Sequence, residues 1–188
     1  GLEVPLGEEL EAYEVEILDG ATVKRVLSAN TTSAVYTAAQ QIAEGLTPFT
    51  WLQNNQNYAV REVPLPYRQE CAEHGISVVT FSPLGAGFLT GKHAGGVVPG
   101  SRFAVAPAHG DIYFNPPCHP RLDVLLATAK AHNLTPASLA LAWALQRPLT
   151  RYVLIGGRDA AQIDQAFAAS GPAFTAALAD LDQAEPDI

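Results

Sequence analysis

The stretch Ile76-Ser77-Val78-Val79-Thr80-Phe81-Ser82-Pro83-Leu84-Gly85-Ala86-Gly87-Phe88-Leu89-Thr90-Gly91-Lys92 decides the fold. Its first six residues form a β-branched run of the length of a buried strand, and the rest is a glycine-rich turn that ends in an ammonium group. Helical patterning flanks the run on both sides. Short β-branched runs alternating with amphipathic helices are the mark of parallel βα units, since parallel strands need long crossovers and a helix is the usual one.

Upstream, a helix over 66–74 is stopped by Gly75, and a strand over 49–53 leads into an Asn-rich loop. Before these the pattern predicts a strand over 22–29, then the capping-type cluster Asn30-Thr31-Thr32-Ser33, then a helix over 34–43 closed by Gly45. The chain enters on a predicted helix over 7–18, with Leu10, Ile17 and Leu18 on one face and Asp19-Gly20 at its end. Downstream, a connection over 84–120, rich in Gly and Pro, is long enough to expect a functional loop. Helices follow over 121–132 and, from the N-cap and N1 pair Thr135-Pro136, to residue 147. A last strand over 152–155 ends at Gly156-Gly157-Arg158, and Asp159 and Thr175 cap two final helices. The expectation is an α/β chain of about four parallel βα units in a single domain, 1–188. Function is to be sought where each strand hands over to its turn, the ligand-binding edge of parallel βα folds.

Composition narrows the function classes. The 188 residues are 48% apolar and 16% charged with a formal charge of −8, a globular composition that offers little clustered Lys or Arg for nucleic acid or anionic membrane. No apolar run reaches the roughly 18 to 20 residues that span a bilayer, and Gly1-Leu2-Glu3 does not read as a signal peptide, so the expected location is the cytoplasm. The chain contains no methionine, so Gly1 is not expected to be an unprocessed start. Cys71 and Cys118 are expected as reduced thiols. His74, His93, His109, His119 and His132 show no metal-ligand spacing and read as surface residues.

The segment 82–92 supplies glycines that free backbone N–H groups, a hydroxyl and an ammonium just past a strand, which are the parts of an anion cradle; Arg102 adds a second cation. It is not a P-loop, because the Gly-to-Lys spacing differs. Tyr113 and His119 either reach over a ligand as a lid or cover apolar surface. Leu139, Leu141, Trp143 and Leu145 read as core, and the acidic C-terminus as solvated charge.

The run 81–92 resembles the aldo-keto reductase segment YSPLxxGxLTGK at the end of the seventh barrel strand. In order with it, 23–30 is similar to the fifth strand ending GxSN, 53–57 to the QxEYN segment, 139–143 to the helix before the last strand, and Gly156-Gly157-Arg158 with Gln162 to the GAR-xxx-Q signature. The resemblance implies a partial TIM (β/α)8 barrel, strands 5–8, with NADP as cofactor and a small carbonyl compound as substrate. It implies no catalytic residue here, since the family's Asp, Tyr, Lys and His come from the first four strands. Of the cofactor-binding residues, Asn30 and Gln53 would face the nicotinamide amide and Phe81 would stack on its ring. Ser82, Leu84, Gly87, Lys92 and Arg102 would hold the pyrophosphate, and Gly156, Arg158 and Gln162 the adenosine end. Arg158 either pairs with a 2′-phosphate or bridges Asp159 or Asp164.

Departures matter as well. Ala29 replaces the family serine, Leu27 the glycine before it, Phe81 the stacking tyrosine, Asn55 and Gln56 a Glu and a Tyr, and Ala161 and Ala166 a Glu and an Asn. Half a barrel leaves open sheet edges and an uncovered apolar face, so the expected partner is a missing N-terminal half or a second copy of the chain. The alternative is a degenerate, non-catalytic half-barrel that binds or scaffolds and self-associates.

Overall fold

A computed structural model describes residues 12–31, 34–47, 49–61 and 65–184. Part of the expected entry helix, Thr32 and Ser33 of the expected capping cluster, and Pro66-preceding residues 62–64 lie outside them. The chain divides into two compact units, Gly1–Phe49 and Thr50–Ile188.

The first unit corrects the sequence reading. Strand β1, Tyr13–Asp19, stands where the end of a helix was expected and pairs antiparallel with β2, Thr22–Ala29, from Tyr13↔Ala29 to Asp19↔Thr22. The reason is visible in Tyr13-Glu14-Val15-Glu16-Ile17, whose apolar residues recur every second position, followed by Asp19-Gly20, a hairpin dipeptide with Gly20 at φ 61°. The 22–29 strand is therefore half of a hairpin and not the start of a parallel βα unit. Helix α1 spans Ala38–Ala43 and begins later than expected. Its N-cap is Thr37, whose hydroxyl accepts the Gln40 N–H while the Gln40 side chain accepts from the Thr37 N–H, a complete capping box. Gly45, at φ 71°, closes it. Glu44 takes the Arg25 guanidinium and the Tyr36 hydroxyl.

The second unit holds a parallel sheet of three strands, in the order β3 (Trp51–Asn55), β4 (Ser77–Phe81), β5 (Thr150–Val153). Helix α2, Leu65–Glu73, crosses from β3 to β4. The connection from β4 to β5 carries a 3-10 turn (Gly85–Thr90), α3 (Arg102–Val105), α4 (His109–Tyr113), α5 (Cys118–Ala131) and α6 (Pro136–Leu145). Helix α7, Ala160–Ala168, a 3-10 turn at Pro172–Phe174 and α8, Thr175–Ala184, follow β5. The α/β class thus holds, with three parallel strands among the described residues instead of the four expected.

Local chemistry accounts for the helix starts. Thr135 accepts the Ser138 N–H (3.1 Å) with Pro136 at N1, and Asp159 accepts the Gln162 N–H (2.9 Å). The core is centred on α5, α6 and α8, where Leu125, Leu139 and Leu181 are fully buried. Trp143 lies edge-on to Tyr58 (5.5 Å) beneath the Arg147 guanidinium (4.3 Å), which Asp182 pairs at 3.2 Å. Leu139, Leu141 and Trp143 are core as expected, whereas Leu145, at the end of α6, is exposed.

Sheet alternation separates two faces. Val78 and Thr80 point into the interior, whereas Trp51, Gln53, Phe81 and Tyr152 share the exposed face, with Trp51 stacked on Tyr152 across β4 at 5.3 Å.

Candidate functional site

At the C-terminal end of β4 the backbone turns through Ser82 and Ala86, both left-handed (φ 53° and 56°), conformations that only a surrounding structure holds in place. The N–H groups of Gly85, Gly87 and Gly91 donate to Ser82 (2.9 Å), Leu84 (3.0 Å) and Phe88 (3.1 Å) carbonyls, and the Thr90 hydroxyl donates to the Gly87 carbonyl (2.7 Å). This corrects the expectation that the glycines free backbone donors. The loop closes into 3-10 turns and uses those donors itself, so anion contacts fall to its side chains.

Two anchors fix the loop. Asn57, fully buried, accepts the Ala59 and Val60 N–H groups (3.1 and 2.9 Å) and donates to the Ser82 carbonyl (3.1 Å), tying the end of β3 to the end of β4. Its amide also lies 3.4 Å from the Tyr113 hydroxyl. Tyr113 stacks on Phe88 (ring centroids 5.9 Å apart), and a Cβ on Gly85 would sit 2.9 Å from its Cε1. Of the two roles weighed for Tyr113, covering apolar surface is the one observed. His119 likewise packs its ring against Phe88 (5.7 Å).

A cleft of about 680 Å³ lies between this loop and the turn after β5. It brings together Ser82, Leu84, Gly87, Lys92, Arg102, Gly156, Arg158 and Gln162, all expected from sequence. Among the described residues its cations are Lys92, Arg102 and Arg158, with His109 beside them, and no Asp or Glu lines it, in a chain of net charge −8. Low-dielectric walls and charge of one sign focus a positive field on the space between them. His109 and Gln165 were missed by sequence reasoning. Neither sits in a motif, and only the folding of the long connection carries His109 to the cleft.

On the β5 side, a Cβ on Gly157 would lie 2.7 Å from Ile163 Cδ1, so α7 packs against bare backbone there. Nothing lies within 4 Å of the corresponding point on Gly156, which leaves room over that residue. Gln162 accepts the Arg158 N–H at 3.0 Å. Gln53 and Phe81 do not line the cleft and sit on the exposed sheet face. Asn30 belongs to the first unit, just past β2.

His93 overturns its reading as a surface residue. It is 5% exposed, edge-on to Phe103 (5.0 Å), with Nδ1 accepting the Val98 N–H at 3.2 Å. Burial, and then the neighbouring Lys92 ammonium, hold its pKa below the ordinary histidine value. Both cysteines are buried thiols outside any disulfide. Among the described residues no group of three His, Cys, Asp or Glu side chains is placed to hold a metal, and no helix is long and apolar enough to cross a membrane.

The model of the Aldo/keto reductase family matches residues 24–183. A "Probable aldo-keto reductase 1" of Glycine max is 35% identical over 108 residues, covering 56% of this chain and 30% of that protein. The "Aldo-keto reductase dtxS3" of Metarhizium robertsii is 28% identical over 172 residues, 89% of this chain and 45% of its own length. A "Probable voltage-gated potassium channel subunit beta" of Arabidopsis thaliana is 31% identical over 116 residues, 57% and 34% of the two chains. The chain thus spans less than half the length of each of these relatives.

Proposed function

The chain belongs to the aldo-keto reductase family of oxidoreductases, and from that premise we propose that it forms the cofactor-binding part of an NADP-dependent enzyme that reduces a small carbonyl compound to an alcohol. The observation that carries this reading is the cleft of Lys92, Arg102 and Arg158 with no carboxylate among the described residues that line it. Phosphate groups are the ligand such a site accepts most readily, since guanidinium and ammonium donors make charge-assisted hydrogen bonds to them.

Ser82, Lys92 and Arg102 hold the pyrophosphate in this reading, with Leu84 and Gly87 lining the cleft beside them, and Arg158 the 2′-phosphate, over the room left at Gly156. The nicotinamide would supply the hydride. Gln53 and Phe81 orient the nicotinamide end in the whole enzyme, where the family's Asp, Tyr, Lys and His set, borne on sequence outside this chain or on a partner, supplies the proton. The chain alone is then inactive. A cytoplasmic setting and a single domain over 1–188 belong to the same proposal.

Titration of the chain with NADPH, followed by cofactor fluorescence, tests the reading. Saturable binding is expected, weakened about tenfold to a hundredfold by Lys92→Ala, the range of a hydrogen bond to a charged group. Arg158→Ala should erase any preference of NADPH over NADH and leave NADH affinity little changed. Absence of binding by the unaltered chain would overturn it.

One observation favours a second reading. Ala166 lines the cleft where the family pattern carries Asn, so one polar partner for the adenosine end is lost. A degenerate, non-catalytic chain that self-associates would show this, and would fail the same titration.

A further inference from the structure

We propose that His109 is a further ligand of the phosphate groups in the cleft and that it takes up a proton as they bind. The inference rests on the cleft being the phosphate site proposed above, and it adds a titrating residue that no sequence motif marks. His109 lines the cleft with a half-buried ring, and among the described residues no hydrogen bond or ion pair engages that ring. Its nitrogens are thus uncommitted before a ligand arrives.

Its position is fixed from one turn away. His109 and Tyr113 open and close α4, four residues apart, so they share one face of the helix. Tyr113 is 2% exposed, stacked on Phe88 of the glycine loop and edge-on to Phe103 (6.0 Å). That anchor seats α4 against the loop that carries Lys92. Residues 106–108 alone separate α4 from α3, whose Arg102 lines the same cleft. The Ala106 carbonyl accepts the His109 N–H (3.1 Å) and the Pro107 carbonyl the Gly110 N–H (2.7 Å), which closes the corner between the two helices. Arg102 and His109 are therefore presented to the cleft by one short, pinned corner.

Charge then couples the ligand to a proton. Lys92, Arg102 and Arg158 face the same space, and among the described residues no carboxylate pairs them or lines the cleft. On α4 itself Asp111 is exposed and two positions on, so it does not face His109, and Tyr113 is buried. Of the elements packed against α4, α3 brings Arg102, the Gly85–Thr90 turn has no ionisable side chain, and His93 and His119 lie against the Phe114 ring. A phosphate is thus the anion that His109 meets. The charged ring donates from both nitrogens and the neutral ring from one, so phosphate favours the charged form. Binding and proton uptake are linked, and affinity rises as pH falls through the range in which histidines change charge. Lysine and arginine keep their charge across that range.

The test is calorimetric titration at pH 8 and pH 6 of the unaltered chain, His109→Gln and His93→Gln. NAD, whose pyrophosphate keeps its charge over that range, is the first probe and NADP the second. For NAD on the unaltered chain, affinity should rise about threefold to tenfold from pH 8 to pH 6, with a proton taken up from the buffer. His109→Gln should lose that gain and that uptake with both probes, whereas His93→Gln should keep them. A merely structural role would weaken binding alike at both pH values. Should His109→Gln not fold, nitrogen NMR of the histidine-labelled chain reads whether the His109 ring gains a proton at saturation. A gain that survives in His109→Gln, equal weakening at both pH values, or a ring that gains no proton overturns the inference and leaves the cleft a phosphate site. Failure of both probes to bind the unaltered chain overturns the cleft reading and this one with it.

Discussion

The two banks of the cleft are built on opposite principles. On the β4 bank, Lys92 and Arg102 hang from a loop over-determined by Asn57, by the buried rings of Phe88, Phe103 and Tyr113, and by left-handed turns at Ser82 and Ala86. On the β5 bank, Leu154 and Ile155 are exposed and α7 buries no residue fully. A side chain fixed before its ligand arrives loses little freedom on binding, whereas a loosely packed bank must be ordered by the ligand itself. If the cleft takes the dinucleotide proposed above, the difference says where affinity would reside: the phosphate bank stands pre-formed, and the adenosine bank would be completed on association.

A matched pair of truncations breaks or sharpens that contrast with the largest expected effect. Phe88 on the first bank is 1% exposed, and Phe167 on α7 is 72% exposed. Phe88→Ala should destabilise the chain by about 3–5 kcal/mol, as buried phenylalanines do. Phe167→Ala should stay within about 0.5 kcal/mol, as surface changes do. Urea unfolding monitored by tryptophan fluorescence measures both, and equal losses would end the distinction between a rigid and a loose bank.

Asn57→Ala comes next. It removes the acceptor of two buried N–H groups and the donor to the Ser82 carbonyl, without opening a large apolar void. A loss of about 2–4 kcal/mol follows if each orphaned group costs its desolvation. NADPH affinity should weaken as well, because the loop that carries Lys92 loses its tie to β3. Full affinity in a folded Asn57→Ala chain would show that the loop holds its shape unaided.

How much of this was legible in the sequence also divides along particular residues. The strand at Ser77–Phe81, the caps Thr135 and Asp159, and eight of the residues gathered in the cleft were readable, because caps and strand-to-turn transitions are local chemistry. The entry hairpin was not, because a short apolar stretch was read with the helical period when Tyr13, Val15 and Ile17 carry the strand period. The backbone of the Gly85–Gly91 loop misled in another way. Glycine content says that donors can be exposed, and only the turns actually formed say that the loop consumes them. His93 and His109 escaped because their positions depend on the folding of a connection whose helices α3 and α4 are too short to announce themselves by periodicity.

The smallest effect concerns pH, and it belongs to the rigid bank alone, since among the cleft-lining and loop residues it is His93 that is buried as a neutral ring. Burial and the adjacent Lys92 ammonium depress its folded-state pKa, so the unfolded chain, near the ordinary value of 6.5, binds a proton first as pH falls. With more protons bound by the unfolded state, stability rises with pH across that window, and conversely declines as pH drops below about 6.5 until the folded-state value is reached. Protonation also takes the Nδ1 lone pair from the Val98 N–H, which adds a lost hydrogen bond to the cost. Urea midpoints at pH 7.5 and 5.5 should therefore separate in the unaltered chain and draw together in His93→Gln, which has no proton to gain. Equal separation in both chains would place the titrating group elsewhere.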